Sequence, residues 1–227
     1  GKELVLPCFY KEGESGAKSV WEARFTPQEK GKYTYIFRYI EDGKVVSESS
    51  PATFKSRKSR LKGILHVRDN WTLVYDNGKP FRGVGINLCW ESRTKDDSKF
   101  FSALHEQHDR FNFDAMLPDF AQNGGNFTRM WICDWNFPID RQTGFNNHRY
   151  TETTEYMNQS ACERLDHVVN LLEDLDIKIM LCIGQGNVVA DRAFFTTEQA
   201  KVRYRNYLRY IVARWGYSPA IGMWEFF

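Results

Sequence analysis

The chain has 227 residues, 42% of them hydrophobic and 15% aromatic, enough for a sizeable core and for two domains. Its 31 basic and 29 acidic residues leave a formal net charge of +2 with the signs mixed along the sequence, unlike the one-sided charge of a nucleic-acid binder. No run of eighteen apolar residues occurs, so no helical membrane span is expected.

Residues 1–56 read as all-β. Val20-Trp21-Glu22-Ala23-Arg24-Phe25 alternates apolar and polar residues as a half-buried strand does. After a turn at Pro27 to Gly31, Tyr33 to Tyr39 predicts a second strand with Tyr33, Tyr35, Phe37 and Tyr39 on one face. Asp42-Gly43 is a hairpin signal ahead of Val45-Val46. The piece is short for a whole β-sandwich, so it reads as an incomplete one. The basic cluster Lys55, Arg57, Lys58, Arg60 and Lys62 carries no apolar periodicity. It is read as a solvated linker over 57–63 rather than as a nucleic-acid patch.

Over 64–227 the pattern changes. Leu73-Val74-Tyr75 and Pro80-Phe81-Arg82 flank Asp76-Asn77-Gly78 and predict a hairpin. Gly83 to Leu88 then reads as a strand. Phe113, Met116, Leu117, Phe120 and Ala121 recur at helical spacing, with Asp114 as the expected cap and Pro118 tolerated near the helix start. Asn123-Gly124-Gly125 ends that helix, and Phe127 to Ile132 is the next strand. A long loop runs from about Cys133 to Gln159. Ser160 and Glu163 suggest a capping box for a helix striped by Leu165, Val168, Val169, Leu172 and Leu175. Ile177 to Ile183 is nearly continuously apolar, as a strand buried on both faces must be. Thr196 with Gln199 opens a helix striped by Tyr204, Tyr207, Leu208, Ile211 and Trp215, which Gly216 ends. Ala220 to Phe227 is a last strand.

Strands alternating with helices predict an α/β fold with a parallel sheet. An open nucleotide-binding sheet needs a phosphate turn after its first strand, and Asn87-Leu88-Cys89-Trp90 is not one. Gly184-Gln185-Gly186 is a lone fragment of such a turn. The strand ends are instead long, polar and aromatic, which favours strands 1–4 of a TIM (β/α)8 barrel with its site at the strand C-termini.

The five cysteines are scattered without a CxxC pair, which argues against a disulfide framework and a zinc site. His105-Glu106-Gln107-His108 spaces its histidines three apart where a zinc-binding helix needs four, so it reads as a surface segment. No metal or cofactor is expected. The candidate site residues are those at the strand ends: Asn87, Trp90 and Glu91 after the first, Arg129 with Trp131, Asp134 and Trp135 at the second, Gln185 and Asn187 after the third. The tryptophans can be packing aromatics or platforms for a sugar ring. Arg129 within an apolar strand demands a carboxylate partner.

Asn123-Gly124-Gly125-Asn126-Phe127-Thr128-Arg129-Met130-Trp131 resembles the second-strand motif of glycoside hydrolase clan A, family 5 in particular. Tyr217-Ser218-Pro219-Ala220-Ile221-Gly222-Met223-Trp224-Glu225-Phe226-Phe227 resembles the run into that clan's fourth strand, which normally continues into Asn-Glu. Pro7-Cys8-Phe9-Tyr10 and Arg24-Phe25-Thr26-Pro27 are similar to the Ig-like domain found ahead of such barrels. The resemblance implies retaining hydrolysis of a β-linked poly- or oligosaccharide, with Arg129 supporting the nucleophile. The acid/base and nucleophile Glu residues would both lie outside this chain. Glu225 would be a non-catalytic pairing residue deeper in the barrel. It further implies a C-terminal half-barrel as partner, an inactive isolated chain, and a secreted, periplasmic or cell-surface location. One departure is Gly184-Gln185 where family 5 usually has a His. A non-catalytic glycan-binding protein on the same scaffold is the alternative.

Overall fold

The computed structural model describes residues 2–14, 16–59, 61–91, 111–145, 149–155, 157–184 and 196–226. The chain divides into two compact units, Gly1–Arg24 together with Gly63–Phe227, and Phe25–Lys62. Residues 1–24, expected with the N-terminal sandwich, therefore group with the α/β part.

The smaller unit contains two antiparallel pairs. Strand β3 (Gly31–Tyr35) pairs with β6 (Ala52–Ser56), and β4 (Arg38–Glu41) pairs with β5 (Lys44–Glu48). The single strand expected over 33–39 is broken at Ile36-Phe37, because its two halves bond to different partners. Tyr33 stacks on Phe54 at 5.1 Å, and Phe37 meets Tyr35 edge-on at 5.7 Å. Asp42 and Gly43 both have positive φ, as the tight turn between β4 and β5 requires. Lys55 lies within β6 rather than in the linker.

In the larger unit β1 (Phe9–Gly13) pairs with β2 (Ser19–Glu22), and β7 (Leu65–Asp69) with β8 (Thr72–Tyr75). Strands β1, β6 and β7 were not legible as strands in the sequence. A four-stranded parallel sheet follows, in the spatial order of the chain: β9 (Gly85–Ile86), β10 (Phe127–Ile132), β11 (Lys178–Ile183) and β12 (Ile221–Phe226). Helix α1 (Asn112–Gln122) precedes β10, α2 (Gln159–Asp174) precedes β11, and α3 (Glu198–Trp215) precedes β12. This is the α/β alternation expected. The first strand is shorter than Gly83 to Leu88, because only Gly85 and Ile86 reach β10 directly; beyond them Thr128 Oγ takes over, donating to the Ile86 carbonyl and accepting from Leu88 N–H.

The helix starts differ from expectation. Helix α1 begins two residues before Asp114, so Pro118 sits in mid-helix rather than near its start. Helix α2 is capped by Asn158, whose side chain accepts from Ala161 N–H at 2.9 Å, while Ser160 donates to that same oxygen. Helix α3 is capped by Thr197, one residue later than predicted. For α2 and α3 a neighbouring polar side chain that accepts from a free amide replaces the expected one, whereas α1 starts at Phe111 with no side-chain cap of its own.

Strand β10 alternates strictly, with Thr128, Met130 and Ile132 buried and Phe127, Arg129 and Trp131 on the other face. The buried row meets Leu117, Leu165, Val168, Val169, Leu172, Ile179, Leu181, Ile211 and Trp215 in one core. Each fully buried aliphatic side chain of this kind stabilises the fold by roughly 1.5–3 kcal/mol. A one-residue slip between Ile179 and Met180 leaves Gly222 unpaired in β12, since Ile179 faces Ile221 but Met180 faces Met223. Without this bulge Glu225 would align with Ile183 on the helix side. With it, Glu225 aligns with Cys182 and shares the face of Arg129 and Trp131.

Candidate functional site

That face carries the candidate site. Paired residues on neighbouring parallel strands point the same way, so Trp131, Cys182 and Glu225 form one row, and Arg129, Met180 and Met223 the row below. Arg129 reaches across β11 to Glu225 with a fork of two bonds, Nε to Oε2 and Nη2 to Oε1, both 2.6 Å. The carboxylate that the burial of Arg129 demands is therefore Glu225. Both side chains are about three-quarters or more buried, at 19% and 26% exposure. The hydrogen bonds from Arg129 hold the Glu225 carboxyl below the usual glutamate range, and the same bonds push the guanidinium still higher. A carboxylate kept ionised in this way is a poor proton donor. Arg129 also lies over the Trp131 ring at 4.7 Å, and its Nη2 is 3.9 Å from Cys182 Sγ.

Trp90, Trp131 and Trp135 form one cluster at the strand ends. Trp90 meets Trp131 edge-on at 5.5 Å and Trp135 edge-on at 6.0 Å. All three are half-buried. Asn87, after β9, is exposed. Asp134 is half-buried and ion-paired with Arg141 at 2.9 Å. Gln185 and Asn187, like His105 to His108 and Gly186, lie outside the described residues.

Glu91 is placed elsewhere. Its carboxylate is buried at the start of α1, bonded to Arg164 and accepting from Phe113 N–H at 3.2 Å, while its carbonyl accepts from Asn112 Nδ2. Burial pushes this carboxyl up, and Arg164 opposes that push. Arg164 also bridges to Asp114 at 2.8 Å, which in turn meets His167. Glu91 thus supplies the cap that α1 lacks from its own first residues, and it faces the helices rather than the tryptophans.

Two residues with clear roles carried no signal in the sequence. Arg164 lies within α2 and shows its importance only through Glu91. Asn136, in the loop after β10, is fully buried and donates to the Trp131 carbonyl at 2.7 Å while accepting from Glu91 N–H at 3.2 Å. Among the described residues no group of three or more His, Cys, Asp or Glu is arranged to hold a metal ion. All five cysteines are free thiols; burial pushes those of Cys162 and Cys182 up to about 12.

No protein-family profile matches the sequence, and no curated protein matches it. Solved structures do. A provisionally assigned glycoside hydrolase from Bacteroides vulgatus superposes with a TM-score of 0.58 at 17% identity, over 96% of this chain and 43% of that one. The β-mannanase of the blue mussel Mytilus edulis gives 0.48 at 17% identity, over 73% of this chain and 46% of the other. The β-1,4-D-mannanase of Cryptopygus antarcticus gives 0.40 at 17% identity, over 68% and 41%. At such identity the first likeness is one of fold. The chain spans less than half the length of each of these structures.

Proposed function

We propose that this chain is part of a glycoside hydrolase acting on a β-linked poly- or oligosaccharide, and that it forms strands 1–4 of a (β/α)8 barrel. The observation that carries the reading is the joint placement of the Arg129–Glu225 pair and the three tryptophans on one face, at the strand ends of a parallel sheet. Flat indoles suit the apolar face of a pyranose ring, and a buried guanidinium suits a site where carboxylates must be held in place. The strands run in spatial order without a reversal, as winding into a barrel requires and as a doubly wound sheet does not over its full width. The fold likeness to the Bacteroides vulgatus protein points the same way.

In this reading hydrolysis is retaining. One carboxylic acid protonates the leaving oxygen while a second, about 5 Å away, attacks the anomeric carbon. Glu225 is neither: its fork with Arg129 keeps it charged, which bars the acid's role, and the resemblance to clan A makes it a pairing residue deeper in the barrel rather than the nucleophile. Both belong to a C-terminal half that completes the barrel. Asn87, Trp90, Trp131, Trp135 and Asp134 line the near side of the cleft, with Gln185 and Asn187 in the loop after β11. The smaller unit is an Ig-like module, and the protein works outside the cytoplasm.

The test is a panel of soluble β-linked polysaccharides, read by tryptophan fluorescence and affinity electrophoresis for binding and by reducing ends for hydrolysis. The chain alone should bind at least one glycan without cleaving it, and the chain extended through a second half-barrel should cleave it. Absence of binding throughout would sink the reading. Binding without cleavage by the extended protein would favour a glycan-binding protein on the same scaffold.

A further inference from the structure

We infer that Asn136 is the positioning residue of the tryptophan cluster, acting through the two backbone segments that carry Trp90 and Trp131. The inference rests on the proposed glycan-binding role of that cluster for its functional meaning, but its structural content stands on geometry alone. Asn136 sits in the tight turn Cys133 to Asn136, where Cys133 N–H donates to its carbonyl at 2.8 Å and its own N–H donates to the Cys133 carbonyl at 3.1 Å. The turn fixes the Asn136 backbone immediately beside Trp135. From there the side chain faces inward with no exposure at all.

Its amide then spans two strand ends. Nδ2 donates to the Trp131 carbonyl at 2.7 Å and, more weakly, to the Cys89 carbonyl at 3.5 Å, while Oδ1 accepts from Glu91 N–H at 3.2 Å. Cys89 and Glu91 flank Trp90, so the peptide units on both sides of that indole are held by one side chain. The Cys89 carbonyl also accepts from Trp131 N–H at 2.8 Å, which closes the small network. A carboxamide suits the task, because it offers two donors and an acceptor in one plane. Trp90 is in turn the indole that touches both others. Removing the amide leaves buried carbonyl and N–H groups without this partner, and the Trp90 segment, which lies beyond the end of β9 at Ile86, loses its tie through Glu91 N–H.

Edge-to-face indoles at this separation couple electronically, so the cluster should give an exciton couplet in far-ultraviolet circular dichroism. Asn136→Ala should abolish most of that couplet while the helical signal persists. It should also weaken binding of whichever β-glycan the wild-type chain binds by about tenfold, the loss expected for one to two buried hydrogen bonds. Ser218→Ala is the control. It removes buried bonds to Glu173 and Ala220 N–H at the start of β12, and should lower stability with couplet and affinity unchanged. Should the alanine variant fail to fold, Asn136→Ser keeps one hydroxyl in place of the amide and should show a partial loss of the couplet. A full couplet in a folded Asn136 variant overturns the inference, as does equal loss in Ser218→Ala. If wild type binds no glycan, the proposed function falls while the couplet still decides whether Asn136 positions the cluster.

Discussion

Asp166 is where the N-terminal segment is tied to the α/β sheet, and its removal makes a sharp prediction. Its carboxylate accepts from Arg24 at 2.7 and 3.0 Å, from Arg214 Nη2 at 2.7 Å and from Trp215 Nε1 at 2.8 Å. Arg214 has no exposed side-chain surface, and Arg24 is 22% exposed. Both guanidinium groups lie over the Phe9 ring, at 5.1 and 5.0 Å. Asp166→Ala therefore leaves one wholly buried cation and one largely buried cation facing each other. Breaking a buried pair from one side costs about 3–5 kcal/mol. Arg214 keeps Gln159 Oε1 and Tyr210 Oη at 2.8 Å each, so the lower end, about 3 kcal/mol, is expected. That is a large share of the roughly 5–15 kcal/mol by which a domain is stable. Urea unfolding followed by tryptophan emission is the assay, and Trp215 reports directly on the site. Arg24→Ala should cost less, about 1.5–3 kcal/mol, because it removes one charged hydrogen-bonding partner and leaves Arg214 paired. Limited proteolysis should cut near residue 24 faster in both variants. The pH dependence has a definite sign. Burial raises the Asp166 carboxyl, but the bonds and charges of Arg24 and Arg214 outweigh it and hold the group below the usual aspartate range. The folded-state value is thus depressed, so its stabilisation is complete above the unfolded value near 3.9 and is lost as pH falls through the folded one. A cost under 1 kcal/mol for Asp166→Ala would refute this account of how residues 1–24 are held.

Inserting one alanine between Met223 and Trp224 moves Glu225 opposite Ile183 and turns it to the helix side, separating it from Arg129, whereas deleting the unpaired Gly222 should leave Glu225 opposite Cys182 and the pair intact. The expected cost of the insertion is about 3 kcal/mol, and Arg129→Met should add little in the inserted background, which a double-mutant cycle measures. Alkylation at pH 8 should leave Cys162 and Cys182 unmodified in the folded chain, since burial pushes both thiols up to about 12. Mass spectrometry should find them labelled only after denaturation; rapid labelling of either in the native state would contradict their packing.

The parallel sheet and its helices were legible in the sequence because their signals are local and periodic. Phe127 to Ile132 alternates, Ile177 to Ile183 is apolar throughout, and the stripes of Leu165 to Leu172 and Tyr207 to Trp215 repeat at helical spacing. The helix starts differ from the expected ones by one to three residues, since several polar side chains near a helix end compete to cap it and only the folded backbone selects among Asn158, Ser160 and Glu163. Of the candidate site, Arg129, Trp90, Trp131 and Trp135 do come together, because side chains at the ends of adjacent parallel strands must converge. Glu91 stands in the same stretch of sequence as Trp90 but turns the opposite way, toward Arg164.

What the sequence by itself determined was the order of the parallel strands and their helices and the polar, aromatic character of the strand ends. Only the tertiary structure decided which side chains meet there. The unpaired Gly222 sets the face of Glu225, and a single buried amide on Asn136 joins segments 45 residues apart. Such pairings depend on register and on long-range packing, which leave no periodic trace in the chain.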